Sequence, residues 1–292
     1  MFSDFLKTAI PHKVSQSSEF EGIEETLLIS VPNAQEDGLV MLEGGKLFRF
    51  ALSGCTGLYR DGDQLYVSIV AADCMKLRVY EPGKQTKTIV SSKLGDIHDV
   101  LIMDDQLYVV STGTNEVAIV NMNGSVDSSW KMQGFGDSCH INCLDVWDGK
   151  LVATAFGKFS TYRGYKGKTA GAGIILDVKS QEILSTGFSA PHTPRRDKEG
   201  AVFVCDSRAK GISYQYGEER KTITFPGSFP RGLAITDDRI YVGLSSLRHG
   251  AHGTDECIDS AQVAMVDKKT FEVLKKVSLP LAEIYDVLVL RN

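Results

Sequence analysis

From residue 25 onward, apolar and polar positions alternate in short runs broken by Gly, Asp, Asn and Lys turns. Runs such as "QLYVSI", "QLYVVS" and "RIYVGL" are rich in β-branched and aromatic residues, which marks strands, and stretches with helical period are nearly missing. A larger period overlies this alternation. The units "GCTGLYRDGDQLYVSI", "DIHDVLIMDDQLYVVS", "CHINCLDVWDGKLVATA", "PHTPRRDKEGAVFVCD" and "FPRGLAITDDRIYVGL" share one layout, and their anchors Leu65, Leu107, Leu151, Val202 and Ile240 are 42, 44, 51 and 38 residues apart. Each anchor run is followed by a third strand ("LRVYE", "EVAIVNM", "GIILDV", "GISYQY", "AQVAMVD") and then a fourth ("TKTIVSS", "SSWKM", "EILSTG", "KTITF", "FEVLKKVSL"). Four strands recurring about every forty residues predict the blades of an all-β propeller.

The two ends of the chain complete each other. "EIYDVLVLRN" at the C-terminus matches only the first strand of a blade, whereas "EETLLISVP", "GLVMLEG" and "KLFRFALS" near the N-terminus form three strands without a first. Pairing them makes a sixth blade and leaves no open sheet edge at the seam. The expected architecture is therefore one six-bladed propeller over residues 25–292, closed by N-terminal strands pairing with the C-terminal strand, after a lead-in at residues 1–24.

In a propeller the first strand of each blade lines a central channel, so equivalent positions form rings. Nine residues before each anchor stand Thr56, His98, Asn142, Thr193 and Arg231, and matching "IYDVLVL" to "IHDVLIM" adds Tyr285. Two residues nearer the entrance are Gly54, Asp96, His140, Pro191, Phe229 and Glu283. His192, between two prolines, competes with Thr193 for the channel-facing place. His98, His140 and His192 are candidate acids and bases. Asp96, His98, His140 and Glu283 together also offer imidazole and carboxylate ligands for one divalent ion, with zinc, manganese or iron better suited than calcium. The competing explanation is a water-filled channel whose polar groups only satisfy one another.

Charge refines this picture. The chain of 292 residues carries a net charge of -5, which argues against a general nucleic-acid partner. The loops on the channel face are locally basic, however: Lys158, Arg163, Lys166 and Lys168 lie in one, Arg208 and Lys210 in another, and Arg248, His249 and His252 in a third. With Arg231 in the ring and Arg195 or Arg196 nearby, such a field favours an anionic ligand, which Arg grips through paired hydrogen bonds. Asn142, Arg195, Arg231, Arg248 and Tyr285 are the candidate substrate-binding residues. Tyr162 and Tyr165, in a glycine-rich loop, form a candidate lid with faces suited to stacking on a sugar.

Several alternatives fall away. "GYKGKTAGAG" has Tyr162 where a phosphate-binding loop needs its first glycine, and a strand follows instead of a helix. No serine sits in a nucleophile elbow, and no dinucleotide-binding glycine fingerprint opens a helix. "CHINC" lacks a second cysteine pair for structural zinc, and strand alternation turns Cys139 and Cys143 away from neighbouring His140. The six cysteines lie mostly in apolar runs of a chain large enough to build its own core, so reduced, mostly buried thiols are expected. The N-terminal run resembles no secretion signal, and no apolar run reaches membrane-spanning length, giving the expectation of a cytoplasmic protein without a membrane partner.

"PHTPR", "VFVCDS", "FPRGL" and "YVGLSSLR" resemble the hallmark runs of an uncharacterised bacterial β-propeller family, a domain of unknown function. Its pattern is Pro-His-Ser-Pro-Arg, Arg-Gly-Leu and Val-Gly-Leu-Ser with a following Arg. The resemblance covers roughly residues 95–290, with Thr193 in place of the serine. It implies motif roles for His192, Pro194, Arg195, Arg231 and Arg248, and it brings no activity with it. The aspartate-rich calcium runs of gluconolactonase-like propellers are missing, and the repeats differ from those of streptogramin lyases. The leading expectation is an enzyme, a lyase, isomerase or hydrolase, acting on a carboxylated or phosphorylated sugar in the channel mouth. The alternative is a non-catalytic propeller that binds a glycan or a protein partner on the same face.

Overall fold

The structure, a computed structural model, describes residues 11–71, 73–246 and 257–291. Six antiparallel sheets stand around a central channel, five of four strands and one of five. Blade I runs outward through Cys55–Asp61, Gln64–Ile69, Met75–Tyr80 and Lys87–Ser91. Blades II to V repeat this order from innermost strands Ile97–Met103, Ile141–Trp147, Pro191–Arg196 and Phe229–Ile235. Each anchor residue of the sequence repeat lies in the second strand of its blade. Among the described residues, helix is limited to the single turns Ser18–Phe20 and Ser207–Ala209, and no helix is long and apolar enough to cross a membrane.

Blade VI has the composite construction that the chain ends predict. Its innermost strand is Asp286–Arg291, which pairs with Thr26–Ser30, with Ser30 opposite Asp286 and Ile29 opposite Val287. Leu39–Glu43 and Lys46–Phe50 complete the sheet, and Lys13–Gln16 adds a fifth strand at its outer edge. Alternation on this sheet supplies both flanking cores. Leu27, Ile29, Val40 and Leu42 pack against Tyr241, Val263 and Ile284 toward blade V, while Leu28, Leu39 and Met41 pack against Leu58, Leu65 and Val67 toward blade I. Each fully buried Leu or Ile contributes about 2 kcal/mol from apolar burial, so the seam is held by the same layers as the other blade junctions.

All five complete blades carry a β-bulge at one equivalent place. Thr56–Gly57, His98, Asn142–Cys143, Thr193–Pro194 and Arg231–Gly232 are the residues at which the pairing of first and second strands slips. These are the ring positions that the repeat selects. A bulge breaks the alternation of side chains and re-aims them, so residues at these positions need not share one orientation.

Candidate functional site

Two entrance residues take an unusual backbone conformation that brings their side chains over the channel. Asp96 and His140 both adopt φ 51°, and Ala190 adopts φ 57° at the matching step into blade IV. A left-handed conformation costs a non-glycine residue about 1 kcal/mol, a strain that concentrates at sites where geometry matters. Backbone hydrogen bonds hold it in place, from Thr112 to Asp96 and from Phe156 to Cys139.

Above the bulges, five rings meet in a closed collar, four of the contacts T-shaped and that of His140 with Phe156 tilted. His98 meets His140 at 4.9 Å between centroids, and His140 meets Phe156 at 4.2 Å. Phe156 meets His192 at 5.3 Å, His192 meets Tyr285 at 6.2 Å, and Tyr285 returns to His98 at 5.4 Å. The three predicted histidines and Tyr285 are therefore brought together, each from a different blade. Phe156, from the second strand's exit in blade III, is a member that the repeat alignment does not select.

Two of the histidines are backed by carboxylates. His98 Nε2 lies 3.4 Å from Asp96 Oδ1, and His140 Nδ1 lies 2.9 Å from Asp137 Oδ1. Burial opposes ionisation of Asp96, but the hydrogen bond and charge of His98, aided by His140 and Arg163, bring its carboxyl down to about 2. Burial likewise opposes ionisation of Asp137, and His140 and the Tyr165 hydroxyl outweigh it, holding that carboxyl below the usual range. Asp137 is a hub: its second oxygen accepts from Tyr165 Oη at 2.6 Å and from Arg163 Nε at 3.2 Å. Tyr165 thus turns inward, its ring 4.9 Å from His140, and burial together with Asp137 keeps it a phenol. Sequence reasoning misses Asp137 because it lies in an irregular loop with no counterpart in the other blades.

Two nitrogens in the site carry no hydrogen bond to any described residue although they are buried: His98 Nδ1 and Arg231 Nε. The Arg231 guanidinium lies 5.5 Å from the Tyr285 ring centroid. Buried polar atoms are almost always paired, and leaving one unpaired costs about 1–3 kcal/mol, so each of these calls for a partner, whether an ordered water or a ligand.

The bulges turn the remaining ring members to structural work. Asn142 donates to His140 O and accepts from Thr154 Oγ1, Thr56 donates to Ile97 O, and Thr193 Oγ1 accepts from Gly232 N. Arg195 lies deeper than the anion-gripping place expected of it. One of its nitrogens donates to Leu144 O and Pro194 O, another lies 3.9 Å from Asp286, and a quarter of its side chain stays open. Arg196 is directed to the opposite end, where it pairs with Asp148. Lys158, Arg163, Lys166, Lys168 and Arg208 lie exposed around the mouth, while Lys210 is drawn in over the Phe229 ring at 3.4 Å. Arg248, His249 and His252 lie outside the described residues.

Below the collar the channel narrows onto a buried layer. Cys143 Sγ is 3.9 Å from both Thr193 Oγ1 and Tyr285 Oη. Beneath it, Asp99 accepts backbone N–H groups from Val100 and Leu144, and Asp286 accepts them from Leu58 and Val287. Burial, and for Asp99 the nearby Asp286 charge, raises both carboxyls. Burial pushes the Cys143 thiol up to about 12, which disfavours its thiolate at neutral pH.

Of the four residues weighed as metal ligands, Asp96, His98 and His140 lie close together and Glu283 stands apart. Asp96 and His98 face each other, and His140 is committed to Asp137. Glu283 accepts from Asn33 in a cavity of about 470 Å³ whose lining includes neither of these histidines. Among the described residues, no group of three or more His, Cys, Asp or Glu side chains is arranged to hold a metal ion. All six cysteines are free; Cys139 is tied to Phe159 and Gln133, apart from Cys143.

Solved structures share this fold at low identity. A structure described as a nidogen/laminin complex superposes with a TM-score of 0.63 at 12% identity, over 90% of this chain and 97% of that one. A protein of unknown function from Bacteroides caccae gives 0.60 at 11%, over 90% and 98%. Virginiamycin B lyase from Staphylococcus aureus gives 0.54 at 11%, over 92% and 89%. These likenesses establish the propeller and nothing about chemistry. No curated protein matches the sequence. Residues 44–292 match the family described as "Domain of unknown function (DUF4915)", and the chain belongs to that family.

Proposed function

We propose that this propeller is a cytoplasmic enzyme, a lyase, isomerase or hydrolase, that processes a small anionic sugar derivative at the collar. The observation that carries the reading is His98: its Nε2 faces Asp96, while its Nδ1 is buried without a partner among the described residues. An imidazole oriented by a carboxylate through one nitrogen, with the other nitrogen unspent, is arranged for proton transfer. His140, braced by Asp137, touches it and carries a second titratable ring into the same space. Arg231 supplies the complementary half, a buried cationic donor beside Tyr285 for a carboxylate or phosphate. A proton moves between the substrate and His98 Nδ1 while Arg231 holds the anionic group. Propellers of this shape include a lyase, which makes such chemistry compatible with the scaffold. The test is turnover of sugar acids, aldonolactones and sugar phosphates followed by NMR. Wild-type protein should convert at least one member, and both His98→Gln and His140→Gln should lose at least about 100-fold in kcat while remaining folded. Full activity in both variants would overturn the assignment.

A second reading is favoured by one observation: the His98 Nδ1 is buried away from water. A closed collar suits a non-catalytic propeller that binds a glycan or protein partner across its face. That reading predicts affinity without any chemical change in the ligand.

A further inference from the structure

The rim of the mouth carries two exposed aromatic side chains that the collar chemistry does not use. Phe135 is 67% exposed and Tyr162 is 56% exposed. Scattered exposed apolar residues need no explanation, but these two sit on adjoining loops at the channel face. Gly136, with φ 54°, brings the loops together: a Cβ there would lie 3.1 Å from the Tyr162 ring. The Arg163 guanidinium lies 5.3 Å from the centroid of that ring and also binds Asp137, so the platform is one ion pair removed from the carboxylate that braces His140. Lys158, Lys166 and Lys168 stand exposed on the same loop.

The geometry points to an outer subsite, made by Phe135, Tyr162 and Arg163, that stacks on the second ring of an acidic disaccharide whose first ring occupies the collar. This deepens the proposed function and rests on it. Aromatic faces take the apolar C–H face of a pyranose, and the neighbouring guanidinium and ammonium groups match a carboxylate on that ring. The occupant is a uronic-acid disaccharide.

Calorimetric titration of the full chain with galacturonic acid and with digalacturonic acid tests this. Wild-type protein should bind the dimer at least about tenfold more tightly than the monomer. Tyr162→Ala should bring the dimer-to-monomer ratio to within about threefold, and Phe135→Ala should reduce it in the same direction. Lys221→Ala, on the outermost strand of blade IV, should keep the wild-type ratio. Because Phe135 and Tyr162 are exposed, both variants should melt as the parent does, and Tyr162→Phe, which keeps the ring, should restore the preference. Equal affinities for monomer and dimer, or a preference untouched by Tyr162→Ala, overturn the outer subsite while leaving the collar reading standing. Failure of wild-type protein to bind either compound overturns the outer subsite, and the collar reading is then decided by the turnover panel alone.

Discussion

Gly57 stands against Asp99 across the inner strands of blades I and II with no space for a methyl group between them: a Cβ on Gly57 would lie 2.6 Å from the Asp99 Cα. Gly232 has the same relation to Asp286, at 2.7 Å, where blade V meets blade VI. In each case a glycine at the bulge admits the aspartate of the next blade, and that carboxylate then accepts the backbone N–H of the blade beyond, Leu144 or Leu58. The inner strands are thus stapled in threes. This fixes the height at which His98 and Tyr285, the residues just before these aspartates, enter the collar.

Gly57→Ala should consequently cost about 2 kcal/mol, since the clash is with backbone and cannot be relieved by a rotamer change. Its φ lies outside the left-handed region, so the penalty is steric. The measurement is the midpoint shift in urea unfolding, accompanied by loss of the near-ultraviolet signal of Tyr285's surroundings. A midpoint equal to the parent's would mean that the staple is not rigid.

The same staples give the protein a defined pH response. Burial, then the Asp286 charge, raises the folded-state pKa of Asp99 above its unfolded value. For a group shifted in this direction, the folded protein holds protons that the unfolded chain has released, so its stabilising contribution is full below about pH 4 and is lost as pH rises through the folded value. The difference in unfolding free energy, wild type minus Asp99→Asn, should therefore decline between about pH 4 and pH 7, by at most about 1.4 kcal/mol per pH unit for one proton. Asp96 has the opposite sign: lowered to about 2, its contribution is present above its unfolded value and disappears as pH falls toward 2. A flat difference curve for Asp99→Asn across the upper window would contradict the assignment.

The propeller was legible because its evidence repeats. Leu65, Leu107, Leu151, Val202 and Ile240 mark second strands that differ in detail but share one period, and the unmatched "EIYDVLVL" announces the seam. The ring positions were legible for the same reason, yet their orientations were not. The bulges that distinguish Asn142 and Thr193 as braces from His98 as a collar member are features of strand pairing, which no single strand displays. Arg195 reads as a free cation until Asp286, from the far end of the chain, arrives beside it. Asp99 and Asp286 are legible in the sequence as the matching residues of "IHDV" and "IYDV", each directly after a collar residue, but their role as staples depends on glycines in the neighbouring blades.

Asp137 should be the most sensitive position outside the collar. It touches no substrate in the proposed scheme and acts by orienting His140, so Asp137→Asn should lower kcat by about 100-fold with a smaller change in KM. Loss of the counter-charge also disfavours a cationic imidazole, which displaces the acidic limb of the pH–rate profile to lower pH. A uniform loss of kcat without that displacement would indicate a structural role through Arg163 and Tyr165 alone.

Arg231 should divide from the histidines kinetically. In the proposed scheme its buried Nε meets the anion, so Arg231→Ala should raise KM by about 10- to 100-fold for a carboxylated or phosphorylated substrate, and Arg231→Lys should recover only part of this because an ammonium lacks the planar fork. A neutral analogue of the same substrate should show little response to either change. Steady-state kinetics with the paired substrates makes the comparison.

Cys143 sits at the centre of the channel, between Thr193 and Tyr285 and above the two aspartates, a place where a nucleophile could reach the collar. Its chemistry runs the other way. Burial raises the thiol to about 12, with Asp99 adding to the effect, so the thiolate is scarce at neutral pH. Cys143→Ser replaces the sulfur with a smaller hydroxyl that can still meet Thr193, and under the proposed scheme it should retain turnover within about threefold while iodoacetamide leaves turnover by the native wild-type protein intact. Abolished turnover in a folded Cys143→Ser variant, together with trapping of a covalent adduct by mass spectrometry, would move the reaction from proton transfer at His98 to covalent catalysis at sulfur.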